Sequence, residues 1–293
     1  MMKNTRNGII TEIDYKTKKI KVLYYSLVIF VAAACFISIA PLLWVIISAG
    51  KDIEEFYSVP PTIIPKSFHI SRFAEIWKQY NFKRYYINTL IIAGGSIFVS
   101  VFSNGLAGYV ISKLKPKGIG IIFGLILITL MVPTSVAMAT TYKNIIDFPI
   151  LHINLINNIT PILMMAGANS FLIIVFKSFF DGIHDSYLEA ARLDGCSELK
   201  LFATVIVPLS KPIIFTGIIL SLTSAWGDFF WPFMILRKQE LYTIIVQIYS
   251  IQDTMPTDTM LIMLTFAVLP LIVLYICFQK YFMQGLASGG VKG

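Results

Sequence analysis

The feature that most constrains this chain is a set of six long stretches almost free of charge. Residues 22–50, 85–112, 118–142 and 259–279 hold no Asp, Glu, Lys or Arg; residues 148–176 add only His152, and residues 212–236 only Asp228. Crossing a hydrocarbon core of about 30 Å takes roughly 20 apolar residues in a helix. Backbone polar groups find no water there, so a helix must satisfy them internally. The pattern therefore predicts an all-α fold: a polytopic membrane protein with six transmembrane helices in one domain over residues 23–283. Gly227 and Pro232 predict that the stretch holding Asp228 breaks or ends near that carboxylate.

Composition narrows the function classes. Charged residues make up 14% of the 293 residues, against about 25% in soluble domains. A net charge of +8 is compatible with nucleic acid, but the Lys and Arg residues fall in the gaps between apolar runs, as the positive-inside rule places them. Anionic lipid headgroups are the expected partner and nucleic acid is not. Cys35, Cys196 and Cys277 lack CxxC or His spacing, so neither a disulfide framework nor a metal site is expected. The first apolar run follows a charged segment and exceeds a signal-peptide core in length, so it is expected to remain as a span. No G-x-x-x-x-G-K-[ST] phosphate-binding loop and no Ser/His/Asp constellation occurs in the sequence. The chain reads as a non-enzyme without a cofactor of its own.

Orientation follows from the connections. With the N-terminus inside, the inner segments (1–22, the Lys113/Lys115/Lys117 turn, 177–211 and the C-terminal end) carry fifteen Lys and Arg, and the outer ones nine. Both termini are expected in the cytoplasm, with cytoplasmic tails at 1–22 and 284–293, an external segment at 51–84 and an inner segment at 181–211. The inner segment reads as two helices joined by a turn. Asp185 is placed to N-cap the first, Ala190 and Ala191 are strong helix formers, Asp194-Gly195 is a turn pair, and Ser197 is placed to N-cap the second. Such a hairpin offers small residues for close approach and a charged rim at Glu189, Arg192 and Asp194. An ordinary amphipathic loop fits the same pattern.

Glu189-Ala190-Ala191, followed by Gly195, Ile206 and Pro208, resembles the E-A-A signature of permease subunits of bacterial binding-protein-dependent ABC importers. Residues 176–180 (F-K-S-F-F), 225–232 (A-W-G-D-F-F-W-P) and the ending 279–293 are similar to the second permease of the maltose-type carbohydrate importers, as is the region of Asn88-Thr89-Leu90 more loosely. The resemblance implies a coupling hairpin that docks on an ATPase through Glu189, Ala190, Ala191, Arg192, Asp194 and Gly195. It also implies a C-terminal ATPase contact through Val291 and Lys292. The implied partners are a second homologous permease, two nucleotide-binding ATPase subunits carrying ATP and Mg, and an extracytoplasmic binding protein that delivers a sugar or oligosaccharide. The implied location is the bacterial cytoplasmic membrane. His184 and Gly227 depart from the family, which commonly has Pro and Asn there.

Asp228 is either part of a translocation path or a marker of the interface where its helix ends. Trp226 and Trp231 either stack on a sugar ring or belong to an interfacial aromatic belt. The outer stretch 238–258, with Gln247, Gln252, Asp253 and Asp258, either reaches a partner or is a solvated loop. An ion-coupled secondary carrier is the alternative class; it calls for mid-membrane carboxylates and repeated halves, and the sequence offers Asp228 alone and no evident repeat. A non-sugar solute is also compatible with the residues.

Overall fold

The computed structural model describes residues 18–290, with side chains through Gln279. Residues 1–17, and with them most of the N-terminal tail, lie outside the described residues, as do Val291 and Lys292. Among the described residues the chain is mostly helical, its single β feature being an isolated Phe148–Ile153 bridge. Four helices are each long and apolar enough to cross a membrane, and two sharply bent pairs bring the number to six if each pair counts as one span. Two compact units result, one from the described residues of Met1–Phe73 with Pro256–Thr265, the other from those of Ala74–Met255 with Phe266–Gly293.

In the first unit, α1 (Lys18–Ser48) is apolar all round and exposed along most of its length, as a lipid-facing helix is. After it the chain turns on Lys51, which is 1% exposed, sits 4.5 Å over the Trp44 ring and donates to the Thr62 carbonyl. Glu55 accepts from Thr62 Oγ1 and the Lys66 amide at 2.8 and 2.9 Å. Arg72 pairs with Asp258. Asp258, expected on a displayed outer stretch, is instead a buried anchor.

The second unit is organised around α2 (Phe82–Tyr109), which continues through a π-type turn at Val110–Leu114. The third apolar stretch is not one helix: α3 (Ile119–Met131) and α4 (Thr134–Ile146) meet at 107°. Pro133 lacks an amide donor and drives the preceding Val132 to an extended ψ of 122°, so the helix cannot continue through it. The fourth stretch is displaced. Residues 147–159 form turns, and the span begins only at Thr160, as α5 (Thr160–Gly167) and α6 (Ser170–Asp181). Asparagine side chains explain this: Asn154 and Asn158 accept the amides of Ile156 and Thr160, and Asn157 accepts those of Arg237 and Lys238. These bonds compete with helix formation. His152, expected within a span, lies exposed in these turns, 2.9 Å from Asp147.

Past α6 come α7 (Asp185–Leu193), α8 (Glu198–Leu209), α9 (Lys211–Gly227), α10 (Phe230–Ile235), α11 (Ile244–Ile251) and α12 (Thr257–Gly290). The helices α8 and α9 are bent by 80°. Asn88 and Thr89 on α2 hold the segment before α11: Asn88 Nδ2 donates to the Glu240 and Tyr242 carbonyls at 2.8 and 3.0 Å, and Thr89 Oγ1 accepts the Ile244 amide at 3.0 Å. Gln247, expected to be displayed, is buried on α11.

Close packing of α2, α6 and α9 depends on Phe176, which is 1% exposed. A Cβ at Gly108 would lie 2.7 Å from Phe176 Cβ and 2.9 Å from the Lys177 backbone nitrogen; one at Gly217 would lie 2.9 Å from the tip of the same ring. Small residues let membrane helices approach in this way. Gly108→Val is therefore expected to destabilise the protein by about 1–3 kcal/mol through overpacking, read as a lowered Tm of the detergent-solubilised transporter. Gly94→Ala, where a Cβ meets nothing within 4 Å, is the control and should leave Tm unlowered.

Candidate functional site

Two regions carry chemistry: the α7–α8 hairpin and a cavity among α2, α5, α6 and α9. In the hairpin, Leu188 and Ala191 lie one turn apart and pack into a cluster with Tyr109, Phe176, Phe180, Leu201 and Ile206. Residues three apart share a helix face, so this burial turns Glu189 and Ala190 outward, where both are exposed. Ala191, expected beside Ala190 on a contact surface, is thus a packing residue. Leu193 is 89% exposed, and Leu199 and Tyr187 are also open to the outside. A largely apolar tip results, with exposed carboxylates at Glu189 and Asp194.

The turn closes as its residues dictate. Gly195 has φ +77°, which glycine adopts without strain, and its amide donates to the Arg192 carbonyl at 3.0 Å. Asp194 ends α7, its own amide donating to Ala190 at 3.0 Å. Arg192, exposed at the rim, pairs across the turn with Glu198 at 2.8 Å. Ser197 Oγ caps α8 by accepting the Lys200 amide. Asp185 is not a cap: it is the first residue of α7, after His184 at the N-cap position.

Asp185 instead accepts from Lys113 Nζ at 2.5 Å, while the same ammonium donates to the Ile183 carbonyl at 2.6 Å. Lys113 is 5% exposed and lies in the π-type turn that ends α2; such turns are frequent at functional sites. The neighbouring Ser112 donates to Asp181 at 2.6 Å, and Lys177 donates to that carboxylate's other oxygen at 2.7 Å. The hairpin's first helix is therefore tied to α2 through polar contacts as well as the apolar cluster. Sequence reasoning used Lys113 only as a topological charge. Its role depends on a contact across 72 positions, which no local pattern signals.

The cavity holds about 330 Å³ and is lined by Ser96, Ser100, Asn169, Ser221, Ser224, Asp228 and Trp231 together with apolar side chains. Behind it, Asn104 Nδ2 donates to Ser100 Oγ at 3.0 Å and the Ala166 carbonyl at 3.1 Å, and its Oδ1 accepts the Asn169 amide at 3.0 Å. This amide bridges the break between α5 and α6, and Asn169 Oδ1 then caps α6. Ser221 Oγ donates to Ser100 at 2.9 Å, joining α9 to the network. Asp228 and Trp231 share the cavity wall, with the Trp231 amide donating to Asp228 Oδ1 at 3.3 Å. Trp226 does not line it. That indole is 2% exposed, donates from Nε1 to the Ala267 carbonyl at 3.0 Å and meets the Tyr86 ring edge-on at 6.0 Å, so it serves as a helix tie.

Apolar helices around a cavity with polar groups in its wall, and a hairpin pinned to the central helix, define an integral membrane permease. Over residues 7–288 the sequence matches the family described as the binding-protein-dependent transport system inner membrane component, and the chain belongs to that family. The probable ABC transporter permease protein YurM of Bacillus subtilis is 32% identical over 257 residues, covering 86% of this chain and 83% of its own length. The arabinooligosaccharides transport system permease protein AraQ of Bacillus subtilis is 31% identical over 72% of this chain and 74% of its own. The melibiose/raffinose/stachyose import permease protein MelC of the same organism is 29% identical over 95% and 99%. The crystal structure of a bacterial ABC transporter that imports the acidic polysaccharide alginate includes a chain of the same fold, with TM-score 0.79, 20% identity and coverage of 91% of this chain and 98% of that one. This chain is a multi-pass permease subunit of an ABC importer.

The Lys113 hydrogen bond, and secondarily its charge, hold the Asp185 carboxyl below its ordinary pKa of 3.8. A lowered carboxylate pKa stabilises the fold above the unfolded value, and that contribution is lost as pH falls through the folded one. The link is thus complete at neutral pH. Lys113→Met is expected to increase hydrogen exchange of amides 183–193 at pH 7 without unfolding α2. Acidification below the ordinary aspartate range should bring wild type toward the variant, and no difference in exchange between the two at pH 7 would count against the link.

Proposed function

We propose that this chain is one permease half of a sugar or oligosaccharide importer, moving solute delivered by an extracytoplasmic binding protein while ATP is hydrolysed on partner subunits. A second, homologous permease completes the path, and two nucleotide-binding ATPases hold ATP and Mg. Both termini lie in the cytoplasm, which places the α7–α8 hairpin on the ATPase side and segment 51–84 outside. The relatives whose names specify arabinooligosaccharides and melibiose, raffinose or stachyose support a carbohydrate solute.

The observation that carries the coupling role is the two-faced hairpin. One face is packed and polar-bonded to α2, while Glu189, Ala190, Leu193 and the turn at Gly195 face outward. A push on that tip is delivered to α2, which also forms the cavity wall through Ser96 and Ser100. ATPase closure would bias the spans between inward- and outward-facing arrangements, a two-state element driven from a distance. Val291 and Lys292 are assigned to the same ATPase interface on the family resemblance.

Gly195→Val places a β-branched residue at positive φ, at a cost of about 1–3 kcal/mol to the turn, and Glu189→Lys reverses the charge at position 189. Each variant is expected to lower ATP-driven sugar uptake at least tenfold and to reduce co-purification with the ATPase, while the amount of chain in the membrane stays unchanged. Uptake and co-purification at wild-type levels in both variants would refute the coupling assignment.

A further inference from the structure

The cavity wall has a charge character that the coupling role does not require. At about 330 Å³ it falls within the range of about 300–1,000 Å³ usual for small-molecule sites. Among the described residues Asp228 is the one ionisable group lining it; no Lys, Arg or His does so. Asp228 takes part in no ion pair among the described residues. Ser96 also lines the cavity, and its buried hydroxyl has no hydrogen-bond partner among those residues.

Resting on the reading of this chain as a sugar permease, we propose that the cavity is a subsite for a neutral saccharide and that Asp228 makes it reject anionic ones. An ionised carboxylate only accepts hydrogen bonds, so it suits sugar hydroxyls, which donate; the hydroxyl of the exposed Ser224 both donates and accepts. The flat indole of Trp231 and the aliphatic walls at Ile162 and Leu220 suit the C–H faces of a pyranose. A uronate or phosphate group entering the same space meets a carboxylate that no cation among the described residues pairs with, in a recess where salt screens weakly. Discrimination therefore rests on repulsion as much as on fit. Asp228 is a specificity residue in this scheme, and Trp231 supplies the platform.

The test uses the complete membrane complex: this chain, its partner permease and the ATPases, purified without the binding protein. The probe is the neutral saccharide that the intact transporter imports fastest from a panel of mono- to tetrasaccharides, radiolabelled, with its uronic-acid counterpart of equal length as competitor. Wild type should favour the neutral sugar by tenfold or more. Asp228→Asn, which keeps a carbonyl oxygen for the Trp231 amide, should shrink that preference at least tenfold, and Ser224→Ala should weaken neutral binding several-fold. A wild-type complex that binds both sugars equally, or a preference within twofold of wild type in Asp228→Asn, overturns the proposal while leaving saccharide import intact. If the intact transporter imports no saccharide from the panel, the sugar reading falls and this inference with it.

Discussion

The seating of Phe176 against two glycines is the constraint on which the membrane core of the second unit depends. Its Cβ and the adjoining α6 backbone occupy the space left by the absent side chain at Gly108 on α2, and its ring fills that at Gly217 on α9, so three helices meet around one residue. In lipid there is little hydrophobic force between helices, because acyl chains are as apolar as leucine. Shape must supply what water supplies elsewhere. The same ring belongs to the cluster that receives Leu188 and Ala191, and the hairpin is consequently packed on the junction where α2, α6 and α9 are already fixed to one another.

Polar contacts then register what packing brings together. Asn104 satisfies the interrupted backbone between α5 and α6 and touches Ser100, which Ser221 reaches from α9. Irregular backbone at membrane depth is tolerated where protein groups satisfy it, and here the satisfying group is also the rear of the cavity. At the other end of α2, Ser112 and Lys113 hold the carboxylates of Asp181 and Asp185. The central helix thus carries the cavity-lining serines and the hairpin's tether on one continuous stretch.

The spans were legible in the sequence because length and absence of charge are local properties. Residues 22–50, 85–112 and 259–279 each coincide with a long helix. The Asn154–Asn158 region misled because its apolar neighbours outweighed three asparagines whose side chains cap turns. Pro133 was visible, but its consequence, a bend of 107°, was not drawn from it. In the hairpin, Gly195 and Ser197 were readable as turn and cap, since their roles depend on neighbours in sequence. The division of Ala190 from Ala191, the Arg192–Glu198 pair and the Lys113 tether required knowing what lies across from each residue. Trp226 and Trp231 looked equivalent in sequence, and five residues of separation across a helix break put one behind the wall and the other in it.

The Pro133 bend has a consequence for the surrounding lipid. Its two arms contain 13 residues each, about 20 Å of helix at 1.5 Å per residue, against a hydrocarbon thickness of about 30 Å. No residue of α3 is buried, so this arm meets either a neighbouring subunit or acyl chains shorter than the bulk. Where it meets lipid, a short apolar arm is accommodated by local thinning of the bilayer, by snorkelling of flanking side chains or by association with another helix, each at fractions of a kcal/mol per Å. Wherever lipid covers this arm, the thickness of the host membrane bears on what the bend costs.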